Sequence, residues 1–182
     1  MKEQLKHSSL TAVASLTLLL FAGCDDDADV REFVIRSPAF GEKEAMPSKY
    51  ACGAGISPPI SFSLIPDKVE SIVLIAEDKD RISGVYTHWI MWNLPSRIMI
   101  HENISDYPID EAILGTADDE KTVGYSAPCP PKGETHKIVF KAYGLDTHIN
   151  LEEGASREQL NKTIQNHIVA KASLTALAIG SK

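Results

Sequence analysis

From Phe33 onward the sequence consists of short apolar or alternating segments separated by clusters of Pro, Gly and Asp. This pattern is typical of β-strands joined by turns. It predicts a mainly β fold in which two antiparallel sheets pack face to face. The clearest strands are predicted at residues 71–76, 87–94, 137–145 and 173–179, weaker ones at 33–37, 60–64 and 122–125, and a short helical turn around 109–113.

One longer helix is predicted close to the C-terminus. Ser156 and Gln159 have the spacing of a capping box, in which each side chain bonds the other residue's backbone N–H. Leu160, Ile164 and Ile168 then follow four residues apart and form one apolar face. We therefore expect this helix to pack that face on the sheets.

A histidine interrupts the apolar pattern of the strand predicted at 87–94. Strict alternation places His88 on the same face as Ile90, Trp92 and Leu94, at the start of the strand. One interpretation is a core imidazole held by a single backbone partner. The other is a functional histidine at the edge of the core, which requires polar neighbours.

Such neighbours exist in the sequence. Asp78 and Asp80 come just after one apolar strand, and His136 begins another. Because strand ends gather at the rim of a sheet, these three side chains and His88 are expected to meet there. Two imidazoles and two carboxylates at one rim are typical of a small polar pocket.

Prolines are concentrated in the two loops expected beside this pocket. Residues 58–59 are both proline, and Pro128, Pro130 and Pro131 follow one another closely. Proline fixes φ and reduces the entropy that a loop loses on ordering, so these loops are expected to form rigid pocket walls. Backbone amides within residues 124–129 could point inward and form a nest for an anion. The alternative is that both loops are simply stiff turns.

Together these segments resemble the bacterial branch of the phosphatidylethanolamine-binding, or Raf kinase inhibitor-like, protein family. The resemblance runs from about Phe33 to Lys182, so that residues 33–182 form the family's domain. It is carried by CGAGISPPISF at 52–62, THWIMWNLP at 87–95 and, most specifically, GYSAPCPPKGETH at 124–136. The resemblance implies a two-sheet β fold with a C-terminal helix and one pocket for phosphate, phosphorylated head groups or similar small anions.

The same resemblance implies which residues bind the ligand. The histidines would donate hydrogen bonds to an anion, while the aspartates would orient the imidazoles or bind a cationic end of the ligand. Backbone amides around Ser126 would help to hold the anion. The implied ligand-binding residues are Asp78, Asp80, His88, Ser126, Pro131 and His136.

The sequence departs from the family pattern at two points. Where the family has D-P-D-x-P, residues 78–82 lack both prolines and carry Lys79 and Arg81. Where the family has H-R-Y, residues 136–138 lack the tyrosine. Two interpretations stay open for the added cations: either Lys79 or Arg81 contacts phosphate, or both are solvated surface charges.

The N-terminus resembles an export signal. Residues 1–23 have basic residues before an apolar segment that is too short for a comfortable membrane span. The sequence Phe-Ala-Gly-Cys at 21–24 resembles a lipobox, with Phe21 where the pattern prefers Leu, and an acylated Cys24 would anchor the chain by its acyl chains. The alternative is an ordinary signal peptide with an accidental cysteine.

Residues 24–32 follow as an acidic, non-periodic tether. In a Gram-negative cell, Asp25 directly after a lipidated cysteine would retain the protein on the periplasmic face of the inner membrane. With Cys24 acylated, Cys52 and Cys129 remain as an even pair in an oxidising compartment, which predicts a disulfide between them. Two buried free thiols are the alternative, since sequence does not supply the geometry of a disulfide.

The predicted function is that of an exported, lipid-anchored binding or regulatory protein with no cofactor, whose ligand is a small anion. A net charge of −7 without a Lys/Arg run argues against nucleic acid as a partner. Bacterial relatives often form dimers, so a homodimer is one expectation. Two alternatives stay open: a hydrolase or metal-dependent enzyme that uses the same His/Asp cluster, and a protease inhibitor that acts through surface loops.

Overall fold

The structure is a computed structural model in which residues 30–52 and 55–180 are described. The predicted signal peptide, the lipidation site Cys24 and most of the acidic tether lie outside the described residues. Within those two ranges, no helix is both long and apolar enough to cross a membrane.

In the described part of the chain, ten strands form two sheets, which confirms the predicted mainly β, two-sheet fold. The larger sheet has the order β1-β10-β9-β5-β6-β8, with β3 also paired to β10, and the smaller has the order β2-β4-β7. The elements are β1 Arg31–Glu32, β2 Val34–Arg36, β3 Glu44–Ala45, a 3₁₀ turn Ser48–Tyr50, β4 Ile60–Ser63, β5 Ser71–Asp78, β6 Tyr86–Pro95, β7 Met99–Ile100, β8 Ile113–Leu114, β9 Thr135–Leu145, α1 Arg157–Ile164 and β10 Ile168–Ile179.

The long strands pair in antiparallel fashion, as predicted, but the short strands at the edge of the larger sheet pair in parallel. The two-residue strands β1 and β3 both join β10 in parallel. Two further details differ from the predictions. Residues 122–125 form no strand and contribute only an isolated bridge from Val123 to Thr116, and residues 109–113 form a turn that leads into β8.

Helix α1 begins with the predicted capping box. The Ser156 side chain accepts from the backbone N–H of Gln159, whose side chain accepts from the backbone N–H of Ser156. Leu160 and Ile164 are buried against the larger sheet. Ile168 does not extend this face, because the helix ends at Ile164 and Ile168 begins β10. The helix is therefore followed by a twelve-residue strand rather than ending the fold.

The central strand β5 is buried on both faces and separates two cores. Ile72 and Leu74 face the smaller sheet, where they pack in one apolar cluster with Ile60 of β4. Val73 and Ile75 alternate with them and pack in a second cluster under α1. The continuous apolar sequence of β5 reflects this position between two layers.

Strand β6 breaks the predicted alternation twice. Ala76 pairs with Trp89 and Glu77 with Thr87, which leaves His88 as an extra, bulged residue. A second register shift follows further along β6, where Asn93 has a φ of 57°. The shared face predicted for His88, Ile90, Trp92 and Leu94 is therefore wrong for two of them: His88 reaches Asp78 on the smaller-sheet side, and Leu94 packs in the smaller-sheet core. Ile90 and Trp92 pack under α1.

The helix-facing side of the larger sheet holds a buried carboxylate. The Glu77 side chain is only 1% exposed and forms ion pairs with Lys141, at 2.7 Å, and with Arg157 at the start of α1. Burial alone would raise the pKa of Glu77, but these two cations outweigh burial and lower it. Arg157 also donates to the Thr87 hydroxyl. Glu77 therefore ties the helix to the sheet.

We predict that Glu77→Gln lowers the free energy of unfolding at pH 7 by about 2 kcal/mol, because two cations lose a buried partner. The matched control is Glu158→Gln, which breaks an exposed pair with Lys162 within α1 and should leave the free energy of unfolding nearly unchanged. Urea unfolding measures both.

The effect of Glu77→Gln should depend on pH. Since folding lowers the pKa of Glu77, its carboxylate stabilises the fold fully above the unfolded value of 4.5 and less as the pH falls through the folded value. The difference between wild type and Glu77→Gln should therefore shrink in acid. Equal unfolding curves for the two proteins at pH 7 would show that the ion network contributes nothing.

Candidate functional site

The site begins where β5 and β9 lie side by side. Asp78 ends β5 and pairs in register with Ile138, so its side chain and that of His136 lie on the smaller-sheet side of the larger sheet. His136 Nδ1 is 2.7 Å from Asp78 Oδ2. Both side chains are buried, and the structure thus brings together the carboxylate and imidazole predicted from the strand ends.

The bulge in β6 brings His88 to the same place. Its Nε2 lies 4.0 Å from Asp78 Oδ2, which is too long for a hydrogen bond. Its Nδ1 is 2.8 Å from the carbonyl oxygen of Ser126, so Nδ1 carries the hydrogen and donates. Nε2 is buried and has no hydrogen-bond partner among the described residues. His88 therefore has one fixed nitrogen and one available nitrogen.

A cavity of about 480 Å³ opens beside these three residues. The predicted residues Asp80 and Pro131 line it together with Asp78, His88 and His136. The other lining residues are Arg81, Ile82, Ser83, Cys129, Pro130 and Glu134. Five of the six predicted ligand-binding residues thus share one cavity, which is the spatial arrangement that the sequence analysis required.

Ser126 is the predicted residue that does not line the cavity. Its backbone N–H donates to the carbonyl oxygen of His88 at 2.8 Å, and its own carbonyl accepts from His88 Nδ1. The amide is therefore engaged with β6, and the contact of Ser126 with an anion stays a prediction. The Ser126 carbonyl fixes the orientation of the His88 ring through its bond with Nδ1.

Asp80 also contributes mainly by holding the backbone. Its own N–H donates to Asp78 Oδ1 at 2.9 Å, and its Oδ2 accepts from the N–H of Lys137 at 2.8 Å. These bonds join the loop after β5 to the start of β9. Asp80 therefore keeps Asp78 and His136 in contact and leaves its carboxylate at the cavity wall.

The pKa values of the two imidazoles shift in opposite directions. Burial alone would lower the pKa of His136, but hydrogen bonds with Asp78 and with Glu134, at 3.2 Å, outweigh burial and raise it. Burial lowers the pKa of His88 and dominates there, although the Ser126 carbonyl and Asp78 oppose it. His88 is therefore neutral near pH 7, and its Nε2 presents a lone pair rather than the hydrogen expected from the sequence.

We predict that nuclear magnetic resonance titration of the imidazole signals gives a midpoint below 6.5 for His88 and above 6.5 for His136. Asp78→Asn should lower the His136 midpoint, since it removes the closest carboxylate. Identical midpoints for the two rings in the wild-type protein would contradict this description of the site.

The cavity wall is held by backbone contacts with the end of β10. The N–H of Gly180 donates to the carbonyl of Glu134, and a Cβ added at Gly180 would lie 2.0 Å from the carbonyl oxygen of Pro131. Only glycine allows this approach. The predicted wall is thus formed by Pro130 and Pro131, whereas residues 58–59 do not line the cavity.

A disulfide between Cys52 and Cys129 confirms the predicted pairing, and Cys129 itself lines the cavity. The N–H of Cys52 also donates to the carbonyl of Pro128 at 3.0 Å. Close by, the Tyr125 hydroxyl donates to the carbonyl of Tyr50 at 2.6 Å. The loop before β9 is therefore attached to the segment around residue 50 by one covalent and two hydrogen bonds.

We predict that the Cys52→Ser, Cys129→Ser double variant loses about 3 kcal/mol of unfolding free energy, because the bond closes a long loop across 77 residues. Alkylation under denaturing, non-reducing conditions should leave both cysteines of the wild type unmodified, and prior reduction should expose both. Alkylation of either cysteine without reduction would show that the bond is absent in the protein as produced.

Glu134 was missed by the sequence analysis although a signal was present. It lies two residues before His136, and the period of two along a strand places both on one side of the chain. Within the two described ranges, no group of three or more His, Cys, Asp or Glu side chains is arranged to hold a metal ion.

The sequence pattern of the family described as "Phosphatidylethanolamine-binding protein" matches residues 36–179, which is most of the chain. The chain belongs to this family. The match spans every strand from β3 onward and all residues of the cavity.

Relatives in archaea and bacteria support the assignment. The UPF0098 protein PH1269 of Pyrococcus horikoshii is 37% identical over 177 residues, which cover 93% of this chain and 88% of the relative. A UPF0098 protein of Chlamydia trachomatis is 40% identical over 147 residues, covering 77% of this chain and 94% of that protein.

Solved structures show the same fold. The crystal structure of a putative phosphatidylethanolamine-binding protein homolog, CT736 from Chlamydia trachomatis, is similar with a TM-score of 0.75 at 36% identity, covering 83% of this chain and 99% of that one. YbcL of Escherichia coli, described as a member of the mammalian family, has a TM-score of 0.75 at 21% identity, covering 82% and 99% respectively, and shows the fold alone.

Proposed function

We propose that this chain is an exported, lipid-anchored binding protein whose cavity at His88 holds a small ligand bearing a phosphate group, such as a phospholipid head group. The observation that carries the proposal is the buried Nε2 of His88, which has no partner among the described residues and stands beside the Asp78–His136 pair. An unpaired buried polar atom is costly, and a ligand atom in the cavity would satisfy it. Membership of the family supports this ligand class.

The charges around the cavity favour a ligand with two charged ends. Three carboxylates line it, those of Asp78, Asp80 and Glu134, while His88 is neutral. Carboxylates repel a bare anion and attract an ammonium group. A zwitterionic head group, with its phosphate near His88 and its ammonium near the half-exposed Glu134, therefore fits better than inorganic phosphate.

Binding of the phosphate is expected to take up a proton. Both the lone pair of neutral His88 Nε2 and the oxygen of a phosphodiester are acceptors, so a hydrogen bond between them needs an added proton on the ring. The charged groups that act on His88 are Asp78 on β5, Arg81 on the following loop and Asp118 on the loop after β8. His136 lines the same cavity and has a raised pKa, so the comparison of wild type with His88→Ala at each pH assigns the proton to the His88 ring.

We predict that glycerophosphoethanolamine, whose charge is constant over this range, binds more tightly at pH 6 than at pH 8, as measured by isothermal titration calorimetry. His88→Ala should weaken binding by about tenfold or more, because a charge-assisted hydrogen bond is lost. The matched control is His167→Ala, which removes an exposed imidazole paired with Asp146 away from the cavity. Absence of binding to the wild type, or equal binding by both variants, would overturn the proposal.

Export and anchoring rest on the sequence and on one structural feature. The disulfide at Cys52 and Cys129 suits an oxidising compartment such as the periplasm, and the lipobox-like sequence at residues 21–24 suits acylation of Cys24. Mass spectrometry of the protein from its own host tests this through a diacylglyceryl mass on Cys24.

We further propose that the Raf kinase inhibitor-like relationship describes ancestry, since a protein outside the cytoplasm does not meet a cytosolic kinase. The homodimer expected from relatives is tested by light scattering of the purified protein.

One observation also favours an enzyme. A neutral, fixed imidazole with a free nitrogen in a cavity is what a general base needs. Incubation with phosphodiesters, followed by phosphorus nuclear magnetic resonance, separates the two functions. Product that forms with wild type and not with His88→Ala would favour a hydrolase over a binding protein.

A further inference from the structure

The loop between β5 and β6 carries a cation at the cavity that the proposed function does not yet use. Arg81 lines the cavity and forms no ion pair with any residue in the ranges 30–52 and 55–180. Its guanidinium carbon lies 4.1 Å from the centroid of the Tyr86 ring. The Tyr86 ring in turn lies 4.7 Å from the ring of His88. Arg81 thus lies over the Tyr86 ring, and the Tyr86 ring contacts the His88 ring at an angle of 54°.

The backbone fixes the point from which the Arg81 side chain extends. The N–H of Gly84 donates to the carbonyl of Arg81 at 3.0 Å and closes a turn. Immediately before it, Asp80 is bonded to both Asp78 and Lys137. The loop is therefore held on both sides of Arg81, although it lacks the prolines of the family pattern.

Stacking leaves the hydrogen-bonding edge of a guanidinium available. Arginine binds an aromatic face through its planar surface, and its N–H groups point outward in that plane as a fork. Such a fork matches two oxygens of a phosphate or sulfate group. Lys79 and Arg81 are both exposed, but of the two only Arg81 lines the cavity, so Lys79 offers no comparable geometry.

We propose that Arg81 is a second anion-binding residue of this cavity, which holds a phosphate or sulfate group through its guanidinium fork while His88 binds another oxygen of the same group. The inference rests on the proposed function and decides between the two interpretations of Lys79 and Arg81 that the sequence left open. An anion between Arg81 and a protonated His88 separates two positive charges that otherwise repel each other. The fork selects ligands with two adjacent oxyanion atoms.

The test compares Arg81→Gln, Arg81→Lys and the matched control Lys79→Gln, which removes a neighbouring charge from the same loop. The probes are glycerophosphoethanolamine and sodium sulfate, whose charges are constant from pH 6 to 8. Arg81→Gln should weaken both by about tenfold or more, Arg81→Lys by an intermediate factor because it keeps the charge without the fork, and Lys79→Gln by less than about twofold. In the wild type, the Arg81 Nε–Hε resonance should shift when either probe is added.

The outcomes separate this inference from the proposed function. If His88→Ala abolishes binding while Arg81→Gln binds as tightly as Lys79→Gln, the inference is overturned and the proposed function stands. If the wild type binds neither probe, both are overturned. If Arg81→Gln lowers the melting temperature of the unliganded protein and Arg81→Lys restores both that temperature and full binding, with no shift of the Arg81 resonance in wild type, the role is structural and the inference is overturned.

Discussion

The buried carboxylate of Asp78 is the interaction on which the site depends. Taking a carboxylate out of water is costly unless hydrogen bonds replace its hydration. Asp78 obtains them from the N–H of Asp80 and from His136, and its second oxygen also faces His88. Because these partners come from the following loop and from β9 and β6, satisfying one carboxylate draws three parts of the chain to a single point. The cavity lies where they meet.

The bulge in β6 is the second requirement, and it acts through geometry. In a regular strand His88 and Trp89 would point to opposite faces of the sheet. The extra residue in the pairing with β5 allows Trp89 to fill the core beside Ala76 while His88 reaches Asp78. The rigid contacts of the Ser126 carbonyl then fix the ring. A strand end has been adapted here to carry a polar side chain without opening the core.

The sequence was sufficient for the features that follow from local rules. The strand ends placed Asp78 and His136 at one rim, and the spacing of Ser156 and Gln159 identified the helix start. Cysteine parity also paired Cys52 with Cys129 correctly.

The misses share a physical cause. A bulge depends on the register between two strands, which no pattern within β6 reveals, so the face of His88 and the position of Leu94 were assigned wrongly. The direction of an amide in a loop likewise depends on its tertiary partner, and the Ser126 N–H donates to the carbonyl oxygen of His88. The spacing of Ile168 predicted that it would extend the helix, but Ile168 pairs with β9 and begins β10.

Two consecutive carboxylates show how the sheet assigns different tasks to adjacent residues. Glu77 and Asp78 are both buried, yet they point to opposite faces of β5. Glu77 forms ion pairs with Lys141 and Arg157 under α1, so its charge is neutralised there and its contribution is to stability. Asp78 meets imidazoles, whose charge changes near neutral pH, and one of them keeps a nitrogen free. The first face can therefore hold the fold together while the second face remains able to respond to a ligand and its proton.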